Sequence, residues 1–151
     1  MRSGPGLAYR RWFRSGLLPL VTTALMVGAW ALLAPGSFYE DFPASGRGWV
    51  SALPPYNEHL VRDVGALNLA LAALLGFAAL SLEIRLVRIS LFVWLVYAVP
   101  HFVYHLTEFG AMPFLDDAAN IAGLGLVVVL PLALLFLSRD AENGSDERRV
   151  R

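Results

Sequence analysis

The chain of 151 residues contains no cysteine, and this absence excludes several kinds of chemistry. Without a thiol there is no disulfide, no thiolate nucleophile and no cysteine-ligated metal or iron–sulfur cluster. Lysine is absent as well, so all twelve Lys and Arg positions are arginine. Charged residues make up only 16% of the chain, against about 25% in a typical soluble domain. The formal net charge is +0, so no charge excess indicates nucleic acid as a partner.

The motifs of several large enzyme classes are missing too. The sequence has no P-loop, no dinucleotide-binding fingerprint, no GxSxG and no HExxH. We therefore expect no nucleotide cofactor, and no catalytic residue can be named from the sequence.

What the chain does contain is four long apolar stretches, at about residues 16–34, 64–82, 89–107 and 115–137. A helix needs about 20 apolar residues to cross the hydrocarbon core of a membrane. Backbone groups in lipid must bond within their own segment, which favours helices over open strands. We predict an all-α membrane protein: residues 1–138 form a four-transmembrane-helix bundle, and the polar residues 139–151 form a disordered cytoplasmic tail.

The arginines predict the orientation of the bundle. Ten of them lie before the first stretch, between the second and third, and after the fourth, whereas only Arg47 and Arg62 lie on the other side. Cytoplasmic segments carry an excess of arginine. We therefore expect a multi-pass protein of the bacterial inner (plasma) membrane with both termini cytoplasmic. The first stretch is too long for a typical signal peptide and is interpreted as a retained anchor.

The longest segment outside the four stretches runs from Pro35 to Tyr56, on the predicted outer side. Its prolines and glycines disfavour regular structure, and its aromatic residues are typical of the membrane interface. It is either a loop lying at the headgroup level or a lid over the outer mouth of the bundle. Asn57 is predicted to cap the second helix.

Polar residues that are costly inside a membrane gather in the outer half of the predicted bundle. His59 and Asp63 are four residues apart, as are His101 and His105, so each pair shares one helical face. Paired histidines with neighbouring carboxylates are typical of metal sites built between helices. The candidate metal ligands are therefore His59, Asp63, His101 and His105, with Glu58, Asp117, Asn120 and Glu108 as the residues that orient them. Nitrogen and oxygen ligands suit a transition metal such as zinc, copper or iron.

Two other interpretations of the same residues stay open. The histidines could hydrogen-bond to Asp63 and Asp117 and simply hold the helices together, or they could form a proton or small-ligand site. Asn68 is predicted to bond to a neighbouring helix. Glycines 65, 76, 123 and 125 are predicted to allow close helix contact.

The stretch RDVGALNLALAALL, residues 62–75, follows a first span and a loop with prolines and aromatics, and precedes a polar third span. This layout resembles small four-helix bacterial membrane proteins of the DoxX-like kind. The segment YNEHLVRDVGALNLAL, residues 56–71, is similar to uncharacterised actinobacterial membrane proteins. The resemblance implies a fold and little about function, since the roles in such families are diverse.

Three functions are compatible with the sequence. The first is a metal-dependent membrane protein, either an oxidoreductase or a metal-handling factor. The second is a non-catalytic accessory subunit of a larger membrane complex, and the third is a module that binds a small molecule or lipid. The expected partners are the lipid bilayer and, for the second function, other membrane subunits.

Overall fold

The computed structural model describes residues 7–53 and 55–146, with side chains for 10–53 and 55–138. This part of the chain forms five helices and no strand: α1 (Leu7–Leu33), α2 (Pro35–Asp41), α3 (Glu58–Ser81), α4 (Ile84–Thr107) and α5 (Phe114–Asp146). All but the short α2 are long and apolar enough to cross a membrane. For the described residues, the prediction of an all-helical protein with four helices of spanning length and composition is confirmed.

The four long helices extend beyond the predicted spans, by six to nine residues in most cases at one end, and the segment after Pro35 also differs from the prediction. The segment after Pro35 was expected to be irregular, yet α2 occupies its first seven residues, with the proline in the first turn where its missing N–H costs nothing. Asn57 does cap α3, as predicted: its side chain accepts a hydrogen bond from the Leu60 amide (3.1 Å). The disordered tail stays a prediction: residues 147–151 lie outside the described chain, and the backbone of residues 139–146, without its side chains, is described as the last part of α5.

α1 and α3 form the most closely packed pair of helices. A Cβ atom added to Gly65 would lie 2.5 Å from the backbone nitrogen of Leu32, and one added to Gly28 would lie 2.9 Å from that of Leu69. The two backbones therefore touch at positions where only glycine fits. The predicted close contact is confirmed at Gly65. It is wrong for Gly76 and Gly123, around which a Cβ would meet nothing within 4 Å.

α4 and α5 form the second pair, which is joined by hydrogen bonds. Pro131 has no N–H, so the carbonyl of Val127 one turn earlier lacks its helical partner. The buried indole of Trp94 donates to that carbonyl (2.8 Å). Near the chain termini, the Arg88 guanidinium bonds to both the hydroxyl and the carbonyl of Ser138 (2.8 and 2.6 Å).

The hydrophobic core fills only one half of the bundle. We call the end with the start of α1, the α3–α4 turn and the end of α5 the turn end, and the opposite end the loop end. The core cluster lies towards the turn end (Phe13, Leu17, Leu20, Ala24, Leu71, Ala72, Leu75, Ala78, Ala79, Leu82, Val87, Leu91, Trp94, Ala98 and Leu134). Towards the loop end, α3 has no buried residue before Gly65, and α4 has none after Ala98. Beyond Gly65 on α3 and Ala98 on α4, no buried residue of these two helices therefore packs between the α1–α3 and α4–α5 pairs.

Replacing Gly65 with alanine tests the contact between α1 and α3. The added methyl group meets the backbone of Leu32, which cannot rotate away, so we expect a loss of about 1–3 kcal/mol of stability. Gly76→Ala, on the same helix but in open space, should be neutral or gain up to about 1 kcal/mol from helix propensity. Thermal unfolding in detergent, followed by circular dichroism, compares the two variants. Equal melting temperatures would contradict the close contact.

Candidate functional site

Three rings form a continuous polar stripe along the loop-end half of α4, which we call the histidine face: Tyr97, His101 and His105. The Tyr97 and His101 rings stack, with centroids 5.6 Å apart and planes 13° from parallel. The His101 and His105 rings meet edge to face at 4.8 Å. All three side chains are only partly buried. His101 lies six residues before the end of α4, which is about 9 Å along the helix axis.

Neighbouring helices hold this face in place at its two ends. The buried Asn68 of α3 bonds through its amide to the Val64 carbonyl (2.9 Å) and to the Tyr97 hydroxyl (3.3 Å). The buried Asn120 of α5 bonds to Nδ1 of His105 (2.9 Å). The predicted interhelical role of Asn68 is confirmed. Among the described residues, no hydrogen bond or ion pair joins α3 to α4 on the loop-end side of Asn68–Tyr97.

The hydrogen bond between Asn120 and Nδ1 of His105 determines whether the other ring nitrogen, Nε2, carries the proton. Asn120 presents its Nδ2 amide, a hydrogen-bond donor, to Nδ1 of His105. A neutral ring that accepts at Nδ1 carries its proton on Nε2. In that tautomer Nε2 donates a hydrogen bond and does not ligate a metal. The arrangement therefore favours a ligand with acceptor oxygens.

The other predicted ligand pair lies at the start of α3 and is strongly exposed. His59 Nε2 and Asp63 Oδ2 are 3.2 Å apart, with side chains 87% and 62% exposed. On the same turn, Arg62 pairs with Glu58 (2.9 Å) and donates to the carbonyl of Leu32 at the end of α1. Glu58 was predicted to orient a metal ligand. In the structure it pairs with Arg62, and Arg62 in turn donates a hydrogen bond to a carbonyl at the end of α1 that has no partner within its own helix.

The first turn of α5 joins the long loop to the helix bundle. Asp116 Oδ1 accepts hydrogen bonds from the Arg47 guanidinium and the Trp49 indole, both at 2.9 Å. The segment between α2 and α3 therefore contacts the start of α5, 67 or more residues further along the chain. Its role as a lid stays a prediction. Asp116 was not among the predicted site residues, because a contact across 67 residues leaves no local pattern in the sequence.

The remaining predicted residues have structural partners near the α4–α5 turn. Asp117 is buried and accepts from the Gly110 amide (2.8 Å), so it fixes the turn, and among the described side chains it makes no hydrogen bond to a histidine. Glu108 follows α4 as its C-cap, with its backbone amide on the Tyr104 carbonyl (3.3 Å). The network interpretation is thus supported for His105, although its partner is Asn120 and not Asp117.

The structure does not gather the predicted metal ligands into one group. Among the described side chains, no three from His, Asp and Glu come close enough to hold a metal ion. The nearest arrangement is the pair His101 and His105 on one face of α4. A transition metal at these residues stays a prediction.

Comparison of the chain with protein-family models, with curated protein sequences and with solved structures found no match. The resemblance to DoxX-like proteins therefore stays a prediction, and any function has to be argued from the chain's own residues.

Replacing Asp116 with alanine should release the loop from α5. The variant loses both the Arg47 and the Trp49 hydrogen bonds. We expect trypsin to cut after Arg47 several times faster than in the wild-type protein in proteoliposomes. Asp63→Ala is the control, because that carboxylate pairs only within α3. Unchanged cleavage in Asp116→Ala would show that Asp116 does not hold the loop.

Proposed function

We propose that the chain is an integral protein of the plasma membrane, with both termini in the cytoplasm, that binds an amphiphilic molecule at the histidine face. The membrane location is supported by four helices of spanning length and composition. The orientation is supported by the ten arginines on the side of the termini, against two on the other. In this orientation the loop end faces outward.

The observation that carries the proposal is a polar surface left unburied at membrane depth. Imidazole and phenol groups facing hydrocarbon are costly unless they find polar partners. The core does not extend to His101 and His105, and Asn120 occupies only one ring nitrogen of the pair. A bound head group with carbonyl, ester or ether oxygens would accept the remaining hydrogen bonds.

The surroundings of the histidine face suit an amphiphile better than a water-soluble compound. On α4 the half-exposed Tyr104 ring contacts the His105 ring, with centroids 5.9 Å apart, so the apolar part of a ligand has an aromatic surface to pack on. Among the described residues no hydrogen bond joins α3 to α4 beyond Asn68–Tyr97 on this side, so we expect the ligand to enter between these two helices. A molecule dissolved in the membrane can approach them sideways.

Organic extracts of the protein test this proposal. Wild-type protein is purified with its surrounding lipid in copolymer nanodiscs, and the extract is analysed by untargeted mass spectrometry. We expect one amphiphile to be enriched over the bulk membrane extract, and to fall several-fold in the double variant His101→Leu plus His105→Leu. That variant removes the hydrogen-bonding groups while keeping apolar volume.

The matched control is His59→Leu, the third histidine of the chain, which is exposed at the same end. It should retain the amphiphile at the wild-type level. If no species depends on the α4 pair, or if His59→Leu loses the same species, the histidine face is not the binding site. Co-purification of another membrane protein that depends on this pair would instead favour an accessory subunit.

A transition metal is the second candidate, and one observation favours it. His101 and His105 present two rings on the same side of α4, as paired metal ligands do. Zinc, copper or iron would need at least one further ligand from outside this group. Such a site would support an oxidoreductase or a metal-handling role.

Elemental analysis separates the two candidates. Because the described residues offer no third ligand, we expect purified protein to hold far less than one zinc, copper or iron ion per chain. One metal ion per chain that is lost in His101→Ala plus His105→Ala, but kept in His59→Ala, would contradict the amphiphile site and show a metal site at the histidine face.

A further inference from the structure

A group of arginines at the turn end plays no part in the site described above. Arg10, Arg11 and Arg14 of α1 line an open cavity of about 410 Å³ together with Ser15 and Leu18. All five side chains are exposed. No carboxylate among the described side chains forms an ion pair with these three arginines. The cavity therefore has a concentrated positive charge and no acidic partner within the described chain.

The arginine nearest the membrane is also held in position. The Arg14 Nε donates to the Ala79 carbonyl of α3 (3.4 Å), which leaves the two terminal nitrogens of the guanidinium for another acceptor. Guanidinium groups bind phosphate oxygens in a fixed, forked geometry. Three of them around one cavity point to a phosphate-bearing anion.

The rest of the same surface indicates where that phosphate comes from. Leu18 closes the cavity on the membrane side, and the exposed Leu25 and Met26 continue the apolar surface along α1. Trp12 lies beside the arginines and is 71% exposed, as expected for an aromatic anchor at the interface. The positively charged cavity matches the head group of a phospholipid, and the apolar surface beside it along α1 matches an acyl chain.

We propose that Arg10, Arg11 and Arg14 form a binding site for an anionic phospholipid, with the phosphate in the cavity and an acyl chain along Leu18. Basic pockets at the ends of membrane helices recognise anionic head groups in this manner. The site lies at the opposite end of the bundle from the histidine face, so it rests on the proposed membrane location but not on the proposed amphiphile site.

Native mass spectrometry of the full chain in detergent measures this binding with defined lipids. We expect cardiolipin or phosphatidylglycerol to bind at least roughly tenfold more tightly than phosphatidylcholine. Each arginine is expected to contribute roughly fivefold to the affinity for cardiolipin. Changing Arg10, Arg11 and Arg14 together to Gln should therefore weaken cardiolipin binding roughly a hundredfold. Arg85→Gln, an exposed arginine at the same end, should change it less than about twofold.

A second variant covers the case that the triple change disturbs membrane insertion, since arginines also direct topology. Ser15→Trp keeps every charge and fills the cavity, and it should weaken cardiolipin binding about tenfold through steric exclusion. Retained binding in Ser15→Trp, or an equal loss in Arg85→Gln, would overturn the site in favour of diffuse surface charge. Full competition by millimolar inorganic phosphate would overturn the assignment to a lipid.

Discussion

The contact between the backbones of α1 and α3 at Gly28 and Gly65 is the constraint on which the rest of this structure depends. Within a membrane the hydrophobic effect does not hold helices together, so close packing and hydrogen bonds must do so. The glycines let α1 and α3 pack as one unit along the bundle, up to the loop end, where Arg62 donates to the end of α1. The α4–α5 pair is joined separately, through Trp94 and the carbonyl that Pro131 leaves free.

Two separately joined pairs need not meet along their whole length. Here the shared core ends near Ala98, and beyond it the side chains of the histidine face are only partly buried. Towards the loop end, Arg47 and Trp49 bond to Asp116 at the start of α5. Partly buried imidazoles beyond the end of the core are the physical basis of the proposed amphiphile site.

Much of this architecture could be predicted from the sequence, because span length, Asn57 as a cap and the i, i+4 histidine pair are local patterns. The site was harder to predict. Whether His59 joins His101 depends on how far α3 lies from α4, and no local pattern encodes that distance. The prediction of close contacts at glycines was confirmed at Gly65 and wrong at Gly76 for a related reason: composition indicated that small residues matter, but only the packing distinguishes the two positions.

Disulfide cross-linking tests the opening between α3 and α4 directly, because the chain has no cysteine of its own. The contacts Asn68–Tyr97 and Leu74–Ser90 set the register of the two helices and place Val64 opposite His101. Cysteines at the buried positions Leu75 and Ser90 should form a disulfide readily under mild oxidation, and cysteines at Val64 and His101 should not. Disulfides forming at similar rates in both pairs would mean that the helices stay together to the loop end and leave no site between them.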